Sequence, residues 1–351
     1  MSTADDYGSP GSIPLGRLTH GDRHTSFYLE AGPKTGPTII FVHGWPEIAL
    51  AWRHQLATFA ALGFRVIAPD LRGTGQSTIY DLHSAYSQRE IVRDMLDLAD
   101  VLDVDRALWV GHDWGASVVW NIATHYPERC HATAALCVPY QTLELGVDQL
   151  SSLVNRDIYP AAKFPAGQFE YIKFYHEQFD NARRAFEINF ENTFKVHMRR
   201  GDPSQAGKPF PTALVRRQGG WFGGGGAPDV ALDRAILDDG DLDAYSHAYR
   251  QTGFFGVNSL YMNDLENNRF AREADDSAID MPVLFLSGLN DFVCDTERSD
   301  LMVPMRSNCR KLTIQKIASG HWMQHECPSE VNATLSEWVA SEVPTMQARP
   351  S

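Results

Sequence analysis

The feature that most restricts the fold of this 351-residue chain is an alternation of short apolar runs with segments of helical spacing. Six runs rich in apolar and β-branched residues predict strands at 38–42, 65–68, 108–110, 132–138, 282–287 and 311–317. Helical patterns predict helices at 88–102, 114–125 and 329–340, and Ser87 with Glu90 predicts a capping box before the first. This alternation is typical of the α/β class, with a mostly parallel sheet flanked by helices.

One long stretch interrupts this rhythm, from about residue 139 to residue 278. It lacks strand-like runs, is rich in aromatic residues with helical spacing, and has a middle rich in glycine and proline at 219–228. We expect a helical insertion between two halves of one sheet. The prediction assigns residues 1–139 to the N-terminal part of the core, 140–278 to a helical cap or lid, and 279–351 to the C-terminal part. Residues 1–14, polar and acidic, are expected to be a loose tail.

The strongest local motif is Gly111-His112-Asp113-Trp114-Gly115, between a predicted strand and a predicted helix. It matches the nucleophile-elbow pattern, in which glycines allow a sharp turn that exposes the middle residue. A carboxylate in that place attacks the saturated carbon of an epoxide or alkyl halide and forms an ester with the protein. The alternative role is that of a helix N-cap, for which aspartate is favoured. Asp113 is therefore the candidate nucleophile.

Two further residues complete a candidate triad with Asp113. Asp291 follows the fifth predicted strand and His321 follows the sixth, and the order nucleophile, acid, histidine is that of α/β-hydrolases. His321 would act as general base toward water, and Asp291 would fix its tautomer. The alternatives are a turn aspartate and a surface histidine. Four nearby residues are predicted to be supporting or surface residues: His43, His112, Asp295 and His325.

An oxyanion hole is predicted from the two segments that flank the elbow. His43-Gly44-Trp45-Pro46 follows the first predicted strand. The backbone N–H of Trp45 and that of Trp114 would converge on one oxygen. That oxygen would belong to the ester carbonyl of Asp113 while water attacks it.

Three motifs together resemble those of epoxide hydrolases. They are His43-Gly44-Trp45-Pro46-Glu47, Asp70-Leu71-Arg72-Gly73-Thr74-Gly75-Gln76-Ser77 and Gly111-His112-Asp113-Trp114-Gly115. The resemblance covers nearly the whole core, from residue 38 to residue 338. It implies an α/β-hydrolase fold, a small-molecule epoxide and water as the reactants, and a vicinal diol as the product through a covalent ester. No cofactor or metal is implied, and the histidines show no helical pair with metal spacing.

In that family two tyrosines of the cap donate hydrogen bonds to the epoxide oxygen. Residues 169–171 and 253–261 resemble the segments that carry them, which assigns this role to Tyr171 and Tyr261. The leaving alkoxide is strongly basic and needs a proton, which a phenol can supply. A role in the core or in the pocket lining is the alternative for any one of them. Three other tyrosines of the predicted cap are alternative candidates for this role: Tyr175, Tyr245 and Tyr249.

Other functions remain open for a chain with this nucleophile. Haloalkane dehalogenases share the fold and the aspartate, and Trp114 with Trp221 could hold a halide. Fluoroacetate dehalogenases resemble the core but carry arginine where this chain has Trp114. A non-catalytic ligand receptor on the same fold is the alternative of another class. A serine esterase is excluded by Asp113.

Charge and cysteine usage restrict the partners and the compartment. The chain has 31 basic and 44 acidic residues and a formal net charge of −13, which disfavours nucleic acids and anionic membranes. No apolar stretch is long enough for a membrane span. The five cysteines are odd in number and lack metal-type spacing, so we expect free thiols in a reducing cytoplasm.

Overall fold

The computed structural model describes residues 15–21, 23–274 and 277–346, in which eight strands form one sheet. The spatial order is β1-β2-β4-β3-β5-β6-β7-β8, antiparallel at β1–β2–β4 and parallel from β4 to β8. The strands are β1 (Leu15–His20), β2 (Thr25–Ala31), β3 (Thr38–Val42), β4 (Arg65–Pro69), β5 (Ala107–His112), β6 (Cys130–Leu136), β7 (Ile279–Gly288) and β8 (Cys309–Ile317). The predicted α/β class with a mostly parallel sheet is confirmed.

The six predicted strands are β3 to β8. Every residue of β3, β4 and β5 is buried, because helices cover both faces of the sheet. Strands buried on both faces show continuous apolar runs, which is why sequence patterns located them. β6 ends before its predicted limit because Cys137 adopts a left-handed backbone conformation, with φ of 70°. β1 and β2 had no prediction, and the predicted tail at 1–14 lies outside the described residues.

Twelve α-helices lie in the described residues. They are α1 (Arg53–Ala61), α2 (Gln88–Val101), α3 (Trp114–His125), α4 (Val147–Ser152), α5 (Glu170–Glu187), α6 (Phe190–His197), α7 (Asp239–Thr252), α8 (Phe255–Ser259), α9 (Asp264–Ala271), α10 (Val303–Asn308), α11 (Met323–Glu326) and α12 (Pro328–Glu342). The three predicted helices are α2, α3 and α12. The predicted capping box is wrong: Ser87 precedes α2, but its side chain makes no capping bond. Glu90 instead accepts hydrogen bonds from Arg23 and Arg93.

The helical insertion joins β6 to β7 and contains α4 to α9. Between those two strands the described residues contain no further strand. Apolar side chains of the insertion and of α2 and α3 form one continuous core cluster, so the insertion packs against these two helices. A second cluster lies under α1 and α12 on the other face of the sheet. The insertion is thereby held over the sheet edge at which β5, β7 and β8 end.

Two further observations concern the molecule as a whole. Among the described residues, no helix has both the length and the hydropathy that a bilayer crossing requires. All five cysteines are free thiols, as the sequence predicted.

Candidate active site

Asp113 lies in a sharp turn between β5 and α3, with φ of 51° and ψ of −121°. A Cβ atom on Gly111 would lie 2.2 Å from the carbonyl oxygen of Gly115, and one on Gly115 would lie 2.1 Å from that of Val42. Both positions therefore exclude any side chain. The carboxylate of Asp113 makes no capping bond to α3, so the N-cap role is not adopted. It faces the cavity described below.

The structure brings the three predicted triad residues together. Nδ1 of His321 lies 2.8 Å from Oδ2 of Asp291, and Nε2 of His321 lies 3.6 Å from Oδ2 of Asp113. The other oxygen of Asp291 accepts hydrogen bonds of 3.0 Å from the backbone N–H groups of Val293 and Cys294. These bonds fix the carboxylate, which in turn orients the imidazole toward Asp113.

The two carboxylates dominate the electrostatics of His321. Burial alone lowers the pKa of this histidine, but Asp291 and Asp113 raise it well above its usual value. Burial alone raises the pKa of Asp291, yet the facing His321 holds it below its usual value. Both shifts favour an imidazolium beside a carboxylate in the free enzyme.

One half of the predicted oxyanion hole is engaged. The backbone N–H of Trp45 donates a 2.7 Å hydrogen bond to Oδ1 of Asp113. Trp114 is the first residue of α3, and in the described part of the chain its N–H makes no hydrogen bond to the carboxylate. A free N–H at the start of a helix is available to a developing negative charge.

A cavity of about 470 Å³ lies between the sheet and the insertion. Both predicted tyrosines line it, together with the triad, and their ring centroids are 5.5 Å apart. Burial, with the nearby Asp113 charge, raises the pKa of Tyr171 well above its usual value. Burial and the neighbouring Tyr171, with Asp113, do the same for Tyr261. Both phenols therefore carry their protons over a wide pH range and are hydrogen-bond donors.

The three alternative tyrosines do not line this cavity. The hydroxyl groups of Tyr175 and Tyr245 are buried and make no hydrogen bond with the described residues. The hydroxyl of Tyr249 donates to the backbone oxygen of Glu47 at 3.3 Å. Of these five tyrosines of the insertion, Tyr171 and Tyr261 are the two that line the cavity with Asp113.

Glu47 is a buried residue that the sequence interpretation missed. Its Oε2 lies 2.9 Å from Nδ1 of His112, and Nε2 of His112 lies 2.8 Å from the backbone oxygen of His321. Both ring nitrogens of His112 face acceptors, so both carry protons. Burial lowers the pKa of His112, but the Glu47 carboxylate raises it to about 10. A buried ion pair thus supports the loop that carries the catalytic histidine candidate.

A series of hydrogen bonds continues from Glu47 to the insertion. Nε2 of His325 donates to Oε1 of Glu47 at 3.0 Å, and Nδ1 of His325 accepts from Arg53 at 2.7 Å. Arg53 also donates to Asp241 of α7 at 2.7 Å. Gln324 donates to Oε1 of Glu47 at 2.8 Å. We call Glu47, His112, Gln324, His325 and Arg53 the Glu47 network.

The neighbouring residues first interpreted as supporting or surface residues are all buried. His43 is neutral, because burial lowers its pKa to about 4, and its Nε2 accepts from the backbone N–H of Leu71. Asp295 forms an ion pair with Arg298. The only signal for Glu47 was a carboxylate within the aromatic segment that follows β3.

Among the residues that the structure describes, two groups of three side chains could supply metal ligands by type, and both include His321. They are His112, Cys137 and His321, and Asp291, Cys294 and His321. The ring nitrogens of His112 and His321 already face carboxylate or carbonyl oxygens. Their hydrogen bonding suits proton transfer and positioning.

Comparisons with known proteins agree with this geometry. A family model described as alpha/beta hydrolase fold matches residues 37–328. Epoxide hydrolase A of Mycobacterium tuberculosis is 32% identical over 326 residues, which cover 89% of this chain and 92% of that protein. Bifunctional epoxide hydrolase 2 of Sus scrofa is 29% identical over 315 residues, which cover 90% of this chain. This chain spans about half (53%) of the length of that protein.

Solved structures give the same result. The crystal structure of Epoxide Hydrolase A from Mycobacterium thermoresistibile superimposes with a TM-score of 0.74 at 30% identity and covers 93% of this chain and 98% of that one. An epoxide hydrolase from an endophytic Streptomyces superimposes with a TM-score of 0.75 at 27% identity, and the match covers 93% of this chain and 95% of that one.

Proposed function

This chain belongs to the α/β-hydrolase fold family and is homologous to epoxide hydrolases, and from this premise we propose that it hydrolyses epoxides to vicinal diols through a covalent ester on Asp113. One observation carries the proposal. A carboxylate at the elbow, a histidine–carboxylate pair and two protonated phenols share one cavity. We also propose residues 140–278 as the cap.

In the first step, Oδ2 of Asp113 attacks a ring carbon of the epoxide. The new ester bond forms as the carbon–oxygen bond of the ring breaks, and Tyr171 and Tyr261 stabilise the departing oxygen. One phenol transfers its proton to that oxygen. Oδ1 keeps the hydrogen bond from the Trp45 N–H and becomes the carbonyl oxygen of the ester.

Once Asp113 is a neutral ester, the protonated His321 gives its proton to the phenolate left by the first step. In the second step, neutral His321 removes a proton from water, and the hydroxide attacks the ester carbonyl of Asp113. The N–H groups of Trp45 and Trp114 stabilise the negative charge on the carbonyl oxygen. Collapse of this intermediate releases the diol and leaves one oxygen of the water in Asp113. The proton taken from water stays on His321 beside the two carboxylates, so the starting state of the enzyme is regenerated.

Isotope labelling tests the covalent step directly. In a single turnover in ¹⁸O-water with enzyme in excess, the first diol should carry unlabelled oxygen, and the label should enter the carboxylate of Asp113. Mass spectrometry of the diol and of the peptide that contains Asp113 measures both. Label in the first diol would show direct attack by water and would overturn the covalent mechanism.

One observation favours halide displacement as a second candidate. The indole N–H groups of Trp114 and Trp221 are buried and make no hydrogen bond with the described residues, so they could bind a leaving halide. A panel of epoxides and haloalkanes, assayed for diol and for halide release, separates the two activities. Absence of both products would favour the non-catalytic receptor.

A further inference from the structure

His197 is a polar residue in the cavity wall that the proposed mechanism does not use. It ends α6 and lines the same cavity as Asp113 and the two phenols. Its ring packs edge-on against Trp45 and Trp221, with centroid distances of 5.3 Å for each. The indole of Trp322 donates to its backbone oxygen at 2.8 Å. The ring is therefore held in one place, next to the tryptophan that borders the nucleophile.

The hydrogen bonds of His197 define its protonation state. Nδ1 lies 2.8 Å from the backbone oxygen of Thr193, which can only accept, so Nδ1 carries the proton. Burial lowers the pKa of His197 to about 4, and the ring is neutral at physiological pH. Nε2 is then an acceptor, and no described residue donates a hydrogen bond to it.

The surrounding wall offers little to pair with this nitrogen. The rings packed against His197 are those of Trp45, Trp221 and Phe222. The two arginines of the wall are engaged elsewhere: Arg199 donates to the backbone oxygens of Lys195 and Ala231, and Arg200 pairs with Asp233. The hydroxyl of Thr212, also in this wall, is buried and makes no hydrogen bond with the described residues. An apolar substrate would displace water from Nε2 and leave the acceptor unpaired, which costs free energy. A substrate hydroxyl would replace that water.

We propose that His197 is a specificity-determining residue, which accepts a hydrogen bond from a hydroxyl group on the substrate. The preferred substrates are then epoxides that carry a free hydroxyl on the arm lying against the cap. This inference rests on the proposed function, since it names the substrate class of the same site.

Matched substrate pairs test the role of His197. Each pair contains a 1,2-epoxyalkane with a terminal hydroxyl and the analogue in which a methyl group replaces that hydroxyl, over a series of chain lengths. We compare the kcat/KM of the hydroxyl substrate with that of its methyl analogue. For the chain length at which the hydroxyl reaches Nε2, His197→Leu should lower this ratio by about tenfold. His197→Gln, which keeps an acceptor, should retain part of the preference. His247→Leu, at an exposed position on α7, should leave the ratio unchanged.

The outcomes for His197 and for the proposed function are separate. Turnover of any pair member by the wild-type protein supports epoxide hydrolysis whatever the ratio. An equal ratio in the wild type and in His197→Leu at every chain length would overturn the role of His197. Calorimetry measures the affinities of the corresponding diols, and the ratio of these affinities for hydroxyl over methyl tests the same contact. The inference therefore stays testable if no epoxide is turned over or a variant is inactive. Equal affinity ratios would overturn it there too.

Discussion

His321 lies between two carboxylates, and one of them loses its charge during the proposed reaction. In the free enzyme, Asp291 and Asp113 together raise the pKa of His321 well above its usual value, against the effect of burial. Alkylation converts Asp113 into a neutral ester, so the pKa of His321 falls once the ester exists. The histidine therefore becomes a base at the stage that needs one.

This change predicts opposite pH trends for the amount of the ester and for the rate of its hydrolysis. Hydrolysis requires neutral His321, so its rate should rise with pH, and the alkyl-enzyme should accumulate at acid pH. Asp291→Asn removes the remaining carboxylate that raises the pKa, so the midpoint of the hydrolysis profile should move to lower pH while the rate falls. Rapid quenching followed by intact-mass spectrometry measures the ester. A midpoint that does not move would contradict the role of Asp291.

The two phenols can be separated from the triad by substitution. Tyr171→Phe and Tyr261→Phe each remove one donor to the developing alkoxide. Each should cost about 3 kcal/mol in the barrier of alkylation, or about a hundredfold in rate. The double variant should lose nearly all ring opening, because no acid remains. Stopped-flow alkylation rates measure this, and folded single variants with wild-type rates would reduce these tyrosines to pocket lining.

Sequence patterns located the candidate triad but not the residues that support it. Asp113, Asp291 and His321 each follow a buried strand, and the carboxyl ends of parallel strands meet at one edge of a sheet. The supporting role of Glu47 could not be found in this way. It depends on contact with His112, which is 65 residues away and is brought close by the pairing of β3 with β5. The role of His197 depends on a cavity that exists only after the cap has folded.

At the scale of elements, the elbow depends on how closely α3 approaches the end of β3. Gly115 is the second residue of α3 and lies directly against the backbone of Val42 and His43. A helix can begin this close to a strand only where no Cβ intervenes. The position of Asp113 above the sheet follows from that approach.

Gly115→Ala should therefore be severely destabilising. The new Cβ would lie 2.1 Å from a backbone oxygen, which cannot rotate away, so we expect a loss of about 3 kcal/mol or more in the free energy of unfolding. Gly240→Ala is the matched control, since Gly240 is the second residue of α7 and its nearest contact would be a side-chain oxygen at 3.2 Å. That control should be neutral or stabilising by up to about 1 kcal/mol. Urea denaturation measures both, and similar values for the two variants would contradict the steric argument.

The local sequence of β1, of β2 and of the segment before α2 contains little information about the structure that forms there. β1 and β2 pair as an antiparallel hairpin at the edge of the sheet, and β1 is half exposed. An edge strand shows neither a continuous apolar run nor a clear alternation. The capping box at Ser87 failed because the carboxylate of Glu90 finds arginine partners that are not visible in local sequence.

At the scale of the whole molecule, Arg53 joins the cap to the core. It donates to His325 in the Glu47 network and to Asp241 and the backbone oxygen of Ile236 in the insertion. The ion pair with Asp241 is largely buried, with side-chain exposures of 20% and 9%. The side chain of Arg53 thus connects the packing of α7 on the core with the loop that carries His321.

Arg53→Met should lower the free energy of unfolding by about 2 kcal/mol, because it leaves the largely buried carboxylate of Asp241 without its charged partner. Arg250→Met is the control, since the ion pair of Arg250 with Glu191 is exposed on both sides and is expected to contribute less than about 1 kcal/mol. Urea denaturation curves measure both variants. Equal losses would show that Arg53 contributes no more than a surface ion pair.

The insertion between β6 and β7 also has a consequence for folding. Thr133 of β6 pairs with Val283 of β7, so the sheet cannot close until the whole cap has been synthesised. Until then β6 is an edge strand with unpaired backbone groups, and nearly all of its side chains are ones that are buried in the folded protein. Such an edge is a template for pairing with another copy. Parallel pairing across such a long separation is slow. Until β7 docks onto β6, a newly made chain therefore presents an edge strand that can pair with another copy.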